Sequence, residues 1–190
     1  MSAPHETPLT DKVVLVTGSA RRIGAVIAQA FHARGARVAV HYHRSAVEAG
    51  ALVRAMNAER PASAAAFGAD LADLAALEAL PASVIGTLGA LDVLINNAST
   101  FYATPVGKIT RTAFEDLIGT NLRAPLFLAQ AAAPALRKSQ GAIVNIADIH
   151  AERPLKNFVV YSIAKAALVM LTQSLARELG PEIRVNAIAP

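Results

Sequence analysis

Tyr161 and Lys165 stand four residues apart in Tyr161-Ser162-Ile163-Ala164-Lys165, and Asp148 precedes the tyrosine by thirteen positions. Residues four apart share one face of a helix, so this spacing sets a phenol beside an ammonium. A neighbouring cation stabilises tyrosinate and lowers the phenol's pKa, which predicts a tyrosine able to give or take a proton near neutral pH. The same spacing also describes an ordinary amphipathic helix pair, and these residues alone do not separate the two.

A second group of residues suits a phosphate. Thr17-Gly18-Ser19-Ala20-Arg21-Arg22-Ile23-Gly24 follows an apolar run and opens a helical stretch. Glycines allow a tight turn and close approach to a ligand, and a helix N-terminus presents free N–H groups to a pyrophosphate. An ordinary strand-to-helix turn with two glycines is the alternative. A dinucleotide domain that takes NAD places Asp or Glu about 20 residues further on, against the ribose 2′-hydroxyl. Here that region reads His41-Tyr42-His43-Arg44-Ser45, basic and hydroxylic. Arg44 offers a planar donor fork for a 2′-phosphate, Ser45 can cap the next helix and bond the same phosphate, and Arg21 and Arg22 add positive charge. NADP(H) is therefore expected over NAD(H), against the plainer reading of a solvated arginine and a capping serine. A Lys165 beside a bound nicotinamide ribose fits the same picture. His41 and His43 share a strand face, but with no third ligand in view no metal is expected. Asp70, before Leu71, suits either the adenine amino group or a helix N-cap. Asn96-Asn97-Ala98-Ser99 closes another apolar run, where amides can position a ribose or nicotinamide, and Asn121 falls inside a helical stretch.

Short, nearly continuous apolar runs alternate with helical stretches and position these groups. Strands are expected at 13–17, 37–43, 63–68, 91–96, 141–147 and 183–188, and helices near 23–33, 46–59, 74–88, 111–138 and 158–179. Strands of this kind are buried on both faces of a parallel sheet, and the alternation implies a doubly wound α/β sheet with helices on both faces. Ligands then sit outside the carboxyl ends of the strands, where every group above falls. The chain has 190 residues, 54% hydrophobic and 17% charged, which suits one domain and excludes intrinsic disorder. Cysteine is absent, which excludes disulfides, Cys-bound zinc and thiol nucleophiles. No apolar run reaches the ~18 residues of a membrane span, and residues 1–6 lack the pattern of a secretory signal, so a cytoplasmic protein is expected. A net charge of +4 suits an anionic ligand but is a weak footprint for nucleic acid.

Taken in order, TGSARRIG, Asp70, NNAS, Asn121 and YSIAK resemble the short-chain dehydrogenase/reductase family over essentially the whole chain. Two departures from its usual pattern, Arg22 for the middle glycine of the turn and Asp148 for a serine, resemble the pteridine reductase branch, as do the stretches 41–45 and 97–102. The resemblance implies a Rossmann-type fold, with Tyr161 as proton donor, Lys165 its partner, Asp148 the third member and Asn121 supporting a water relay. It assigns NADP(H) to Gly18, Arg21, Arg22, Ile23, Gly24, His43, Arg44, Ser45, Asp70, Leu71, Asn97, Ala98, Ser99, Tyr161, Lys165 and Pro190. It assigns the substrate to Arg22, Ser99, Phe101, Asp148 and Tyr161, with Phe101 stacking a pterin against the nicotinamide.

Asp148 also has a chemical logic of its own. A carboxylate repels the alkoxide that forms when a ketone is reduced, whereas reduction of C=N leaves a nitrogen that needs a proton. The expectation is hydride transfer from NADPH to a ring C=N of a pterin or dihydrofolate-type substrate. The alternatives are a short-chain reductase of another carbonyl or imine and a non-catalytic NADPH-binding protein of this fold. The resemblance further implies a homotetramer paired through the helix bearing Ala164, Ala167, Leu168, Leu171 and Leu175. It also implies a C-terminal part beyond Pro190, without which an open substrate site, an uncovered sheet edge and poor activity are expected.

Overall fold

The computed structural model describes residues 9–190; the expectation about a secretory signal concerns residues outside that range. Six parallel strands run β1 (Val13–Val16), β2 (Arg37–Tyr42), β3 (Ala64–Gly68), β4 (Val93–Asn96), β5 (Ala142–Ile146) and β6 (Arg184–Ile188), in spatial order β3-β2-β1-β4-β5-β6. The order reverses between β1 and β4, the topological switch point at which doubly wound sheets bind ligands. Six helices connect them: α1 (Arg22–Ala33), α2 (Ala46–Glu59), α3 (Leu74–Leu88), α4 (Arg111–Ile118), α5 (Ala124–Ser139) and α6 (Val159–Leu179).

Strand side chains alternate between the two faces. Val14, Val16, Val38, Val40 and Ile95 pack with Ala28, Ala49 and Met56 of α1 and α2. Val13, Leu15, Ala39, Leu94, Ile143 and Val185 pack with α3, α5 and the end of α6. All four residues of β1 are fully buried, which accounts for their unbroken apolar run. On the α1/α2 side, Val144 and Ile146 are only partly covered, and four of the five residues of β6 are exposed.

α6 has the length and apolarity of a membrane span, with a mean hydropathy of 1.5, although Lys165 and other polar residues interrupt its apolar run. Here it is a core helix: Tyr161, Ala164, Lys165, Leu168 and Thr172 are buried. A line of polar groups fastens it to the sheet. The Asn96 amide donates to Asn145 Oδ1 at 2.8 Å, the Asn145 amide to Thr172 Oγ1 at 2.9 Å, and the Thr172 hydroxyl to the Leu168 carbonyl at 2.8 Å. Buried amides are costly unless paired, so this line selects one docking of α6 over any sliding alternative.

The single helix expected over 111–138 is broken by a π-turn at Gly119–Arg123. The reason is local. An α-ladder would return the N–H of residue 125 to the Asn121 carbonyl, but residue 125 is proline and has none. The ladder widens instead, and the Ala124 amide donates to Gly119 O. Such π-bulges recur at functional sites. The turn points the Asn121 side chain inward, where its amide donates to the carbonyls of Thr100 (3.0 Å) and Leu117 (2.9 Å) and its Oδ1 accepts from Ser99 Oγ at 2.7 Å. Asn121→Ala is expected to lower unfolding free energy by about 1–3 kcal/mol, the range for stranded buried partners, in urea denaturation; an unchanged midpoint would remove its bracing role.

Candidate active site

The turn after β1 is held by side chains from two other strands. The Thr17 hydroxyl accepts from the amides of Asn97 (2.9 Å) and Ala98 (3.0 Å), and the Asn97 amide donates to Thr17 O at 2.8 Å. Gly18 has φ +62°, in the left-handed region open to glycine. At Gly24 an added Cβ would lie 2.4 Å from Gly18 O and 2.6 Å from the Asn97 amide nitrogen, so α1 can start this close to β4 only without a side chain there. Arg22, which replaces the expected middle glycine, also has a positive φ, +53°. A non-glycine residue held there costs on the order of 1 kcal/mol, a strain compatible with a functional side chain kept in place of glycine.

Around this turn lies a cleft of about 700 Å³. Its lining includes Gly18, Arg21, Arg22, Ile23, Gly24, His43, Arg44, Ser45, Asp70, Leu71, Asn97, Ala98 and Ser99. Thirteen of the sixteen expected cofactor residues therefore meet in one place. Pro190 is exposed beyond β6 and does not line the cleft, and Tyr161 and Lys165 lie past its Ser99 end. Arg22 and Arg44 face the cleft without a carboxylate partner among the described residues. Arg21 lies 3.6 Å from Glu48, and His43 lies 3.6 Å from Asp70. A glycine turn at a helix start with two uncompensated guanidinium groups suits an anionic dinucleotide. Two capping expectations change. The Ser45 hydroxyl makes no cap bond to α2. The N-cap of α3 is Asp73, which accepts from the Ala75 and Ala76 amides, while Asp70 accepts only from the Ala72 amide, one turn earlier. Asp70 is thus left at the cleft wall.

The reactive group is built where β5 ends and α6 begins. Tyr161 Oη donates to Asp148 Oδ2 at 2.6 Å, and Asp148 Oδ1 accepts from the His150 amide at 2.9 Å. Lys165 Nζ donates to the Ile146 carbonyl at 2.8 Å and stands 5.6 Å from the Tyr161 ring centre. Burial, and then the hydrogen bond and charge of Asp148, push the Tyr161 phenol well above its ordinary value, against a smaller opposing effect of Ser99. In the free protein the shift is opposite to the lowering expected from a neighbouring cation: burial leads it, the carboxylate is bonded to the phenol, and the ammonium is turned to a carbonyl. Burial pulls Asp148 upward, but the Tyr161 hydroxyl, the His150 amide and charge, and Lys165 outweigh it and hold the carboxyl below its usual range. Burial brings Lys165 down to about 8, with Asp148 opposing. The pair therefore holds its proton on the tyrosine.

The loop after β4 delivers the remaining residues. Phe101 stacks on Phe158 at 4.5 Å and 16°, and meets Tyr161 edge-on at 4.7 Å and 76°. With one face covered by Phe158, Phe101 can offer a flat ligand at most its other face. Thr104 fastens the loop to the start of α6: its amide donates to Asn157 O and its hydroxyl accepts from the Val160 amide at 3.2 Å. The Tyr102 hydroxyl donates to Asp116 at 2.9 Å, with burial first and then this bond raising it to about 12. Asn121 is committed to this loop and makes no hydrogen bond to Lys165. Thr17, Thr104 and Asp116 receive no role from the sequence, because their partners lie far along the chain and no local spacing singles them out. Only the position of Thr17 directly after a strand marked it.

A fold of this order with a Tyr-x-x-x-Lys pair on the helix after β5 defines an oxidoreductase of the nicotinamide-dependent class. The family model for short chain dehydrogenases matches residues 12–190, and the chain belongs to that family. It is 38% identical to pteridine reductase 1 of Leishmania tarentolae, over 97% of this chain and 77% of that protein. It is 39% identical to human L-xylulose reductase and 37% identical to sorbitol dehydrogenase of Cereibacter sphaeroides, over 96% of this chain and 72% and 70% of theirs.

Two predictions follow from the geometry. Gly24→Ala forces α1 away from β4, so both the thermal midpoint and dinucleotide affinity should fall together in melting and titration experiments. Lys165 is depressed in the folded chain, so below about 8 both folded and unfolded states carry its proton and the burial cost is fully felt. Between about 8 and 10.5 the unfolded chain binds more protons, so stability should rise with pH relative to Lys165→Met. Parallel stability–pH curves for the two proteins would contradict this.

Proposed function

We propose that the chain is an NADPH-dependent reductase that transfers hydride to a ring C=N of a pterin or dihydrofolate-type substrate. The observation that carries this reading is the 2.6 Å hydrogen bond between Tyr161 and Asp148. It places a carboxylate, held ionised, beside the proton donor. Such a pair suits a nitrogen that must gain a proton better than an oxygen that becomes an alkoxide. The similarity to a pteridine reductase supports the same substrate class.

Bound NADPH would supply the hydride and leave as NADP⁺. This chain's residues supply the rest. With hydride added at the ring carbon of C=N, the Tyr161 hydroxyl would give its proton to the ring nitrogen, leaving CH–NH. Asp148 steadies the phenol beforehand and presents an acceptor to substrate N–H groups. Lys165, anchored on Ile146 O, offsets the negative charge left on Tyr161 and suits the cofactor's ribose. Ser99 and the free face of Phe101 suit a flat heterocycle, and Arg22 suits both its polar edge and the cofactor's phosphates. The preference for NADPH rests on Arg44, His43 and Ser45 at the end of β2, with Arg21 beside Glu48 in the first turn of α2.

A second reading, reduction of a sugar or polyol-type carbonyl, draws support from the xylulose and sorbitol enzymes at nearly equal identity. We further propose a cytoplasmic homotetramer. The exposed apolar side chains Phe114, Leu126, Ile163 and Met170 on α4, α5 and α6 support association.

The decisive assay follows NADPH and NADH oxidation with dihydrobiopterin, dihydrofolate, xylulose and a ketone panel. Turnover of the pterins with NADPH, abolished in Tyr161→Phe while NADPH affinity changes by no more than about threefold, is the expected result. Turnover of the carbonyl panel alone would replace the first reading with the second, and unchanged kcat in Tyr161→Phe would remove the tyrosine from the chemistry.

A further inference from the structure

His41 lines the cleft wall from inside the sheet, 2% exposed, and the chemistry above makes no use of it. Its Nδ1 accepts from the Gly18 amide at 3.0 Å, and its Nε2 lies 3.1 Å from the Ala69 carbonyl. Both partners have a single role. An amide N–H can only donate and a carbonyl can only accept, so Nδ1 is bare and Nε2 carries the hydrogen. The main chain reinforces the link: Ser19 N–H donates to His41 O at 2.9 Å, and Ala69 N–H to Tyr42 O at 3.0 Å. Gly18 begins the turn that opens α1, and Ala69 precedes Asp70 and Leu71, which line the same cleft.

We infer that His41 is a positioning residue for the adenosine-diphosphate half of the cofactor: its neutral ring ties the turn after β1 to the segment after β3, fixing the spacing between them. The inference rests on the dinucleotide reading of the cleft. The Gly18 amide is a donor at the point where the chain leaves the sheet, so it needs an acceptor from elsewhere. An imidazole supplies one while donating from its far edge; neither Asn nor Gln spans both positions. The ring's surroundings keep it neutral. Burial drives its pKa down to about 4, the Ala69 carbonyl pulls upward, His43 pushes down and Asp70 pulls upward. A protonated ring would turn a second donor on Gly18 N–H and break the tie.

Two variants separate the ring's ends. His41→Asn keeps an acceptor near the Nδ1 position and loses the reach to Ala69. His41→Gln keeps a donor near Nε2 and loses the acceptor for Gly18. Hydrogen exchange at the Gly18 amide in the free protein is expected to quicken by about tenfold or more in His41→Gln and to stay slow in His41→Asn. The Kd for NADPH, from fluorescence titration, is expected to rise about tenfold in His41→Gln and no more than about threefold in His41→Asn. The kcat stays unchanged in both, at matched thermal midpoints. Nitrogen-15 shifts of the wild-type ring should show a bare Nδ1 and a protonated Nε2, a check independent of either variant. Equal Gly18 exchange in His41→Gln and wild type, the opposite tautomer, or unchanged NADPH affinity despite lost protection would each overturn the inference. A wild type that binds no dinucleotide would overturn the cofactor reading, while exchange and ring shifts still decide the tie.

Discussion

A buried phenol and a partly buried carboxylate 2.6 Å apart can share one proton, and the surroundings decide which of them keeps it. Here burial and the charge on Asp148 leave it with Tyr161. That arrangement depends on distant packing. Asp148 hangs from the end of β5 and Tyr161 from the first turn of α6, so their separation is the docking distance of a helix on a sheet. Asn96, Asn145 and Thr172 set that docking from below. Lys165 grips Ile146 O, and Thr104 clamps the entry to α6. A slip of α6 by one residue would leave several buried polar groups unpaired at once, each costing about 1–3 kcal/mol.

The other half of the site follows from a different constraint, the reversal of strand order between β1 and β4. A crevice opens there because the connections leave in opposite directions. Its walls come from the ends of β1, β2, β3 and β4, and side chains tie these ends together in addition to the main-chain bonds between them. Thr17 and Asn97 join β1 to β4, and His41 joins β1 to β3. The turn after β1 is therefore braced from both sides. At the Ser99 end, the reactive pair and Phe101 meet.

Much of this was legible in the chain. The apolar run at 13–16 carries no polar residue, in keeping with its complete burial on both faces, whereas the run at 141–147 carries Asn145, which is buried and needs the partners Asn96 and Thr172 from elsewhere in the fold. The Gly18–Gly24 turn and the Tyr161–Lys165 pair are local patterns whose spacing carries their meaning. What local pattern could not convey was partnership across the fold. Tyr161 was expected beside an ammonium because Lys165 is four residues away, yet Asp148, thirteen away, holds its hydroxyl. Asp70 and Asp73 are equally good caps by type, and only the start of α3 separates them. The π-turn at Asn121 had a local signal after all, in the proline four residues on.

Tyr161 keeps its proton in the free protein because burial, and then Asp148, oppose its ionisation. With three tyrosines and no tryptophan, the chain suits a direct test by near-ultraviolet tyrosinate absorbance, titrated in the wild type and in Tyr161→Phe. The difference between the two curves isolates Tyr161. No tyrosinate in that difference until pH rises above the ordinary tyrosine range is the predicted result. A Tyr161 tyrosinate appearing near neutral pH would contradict it.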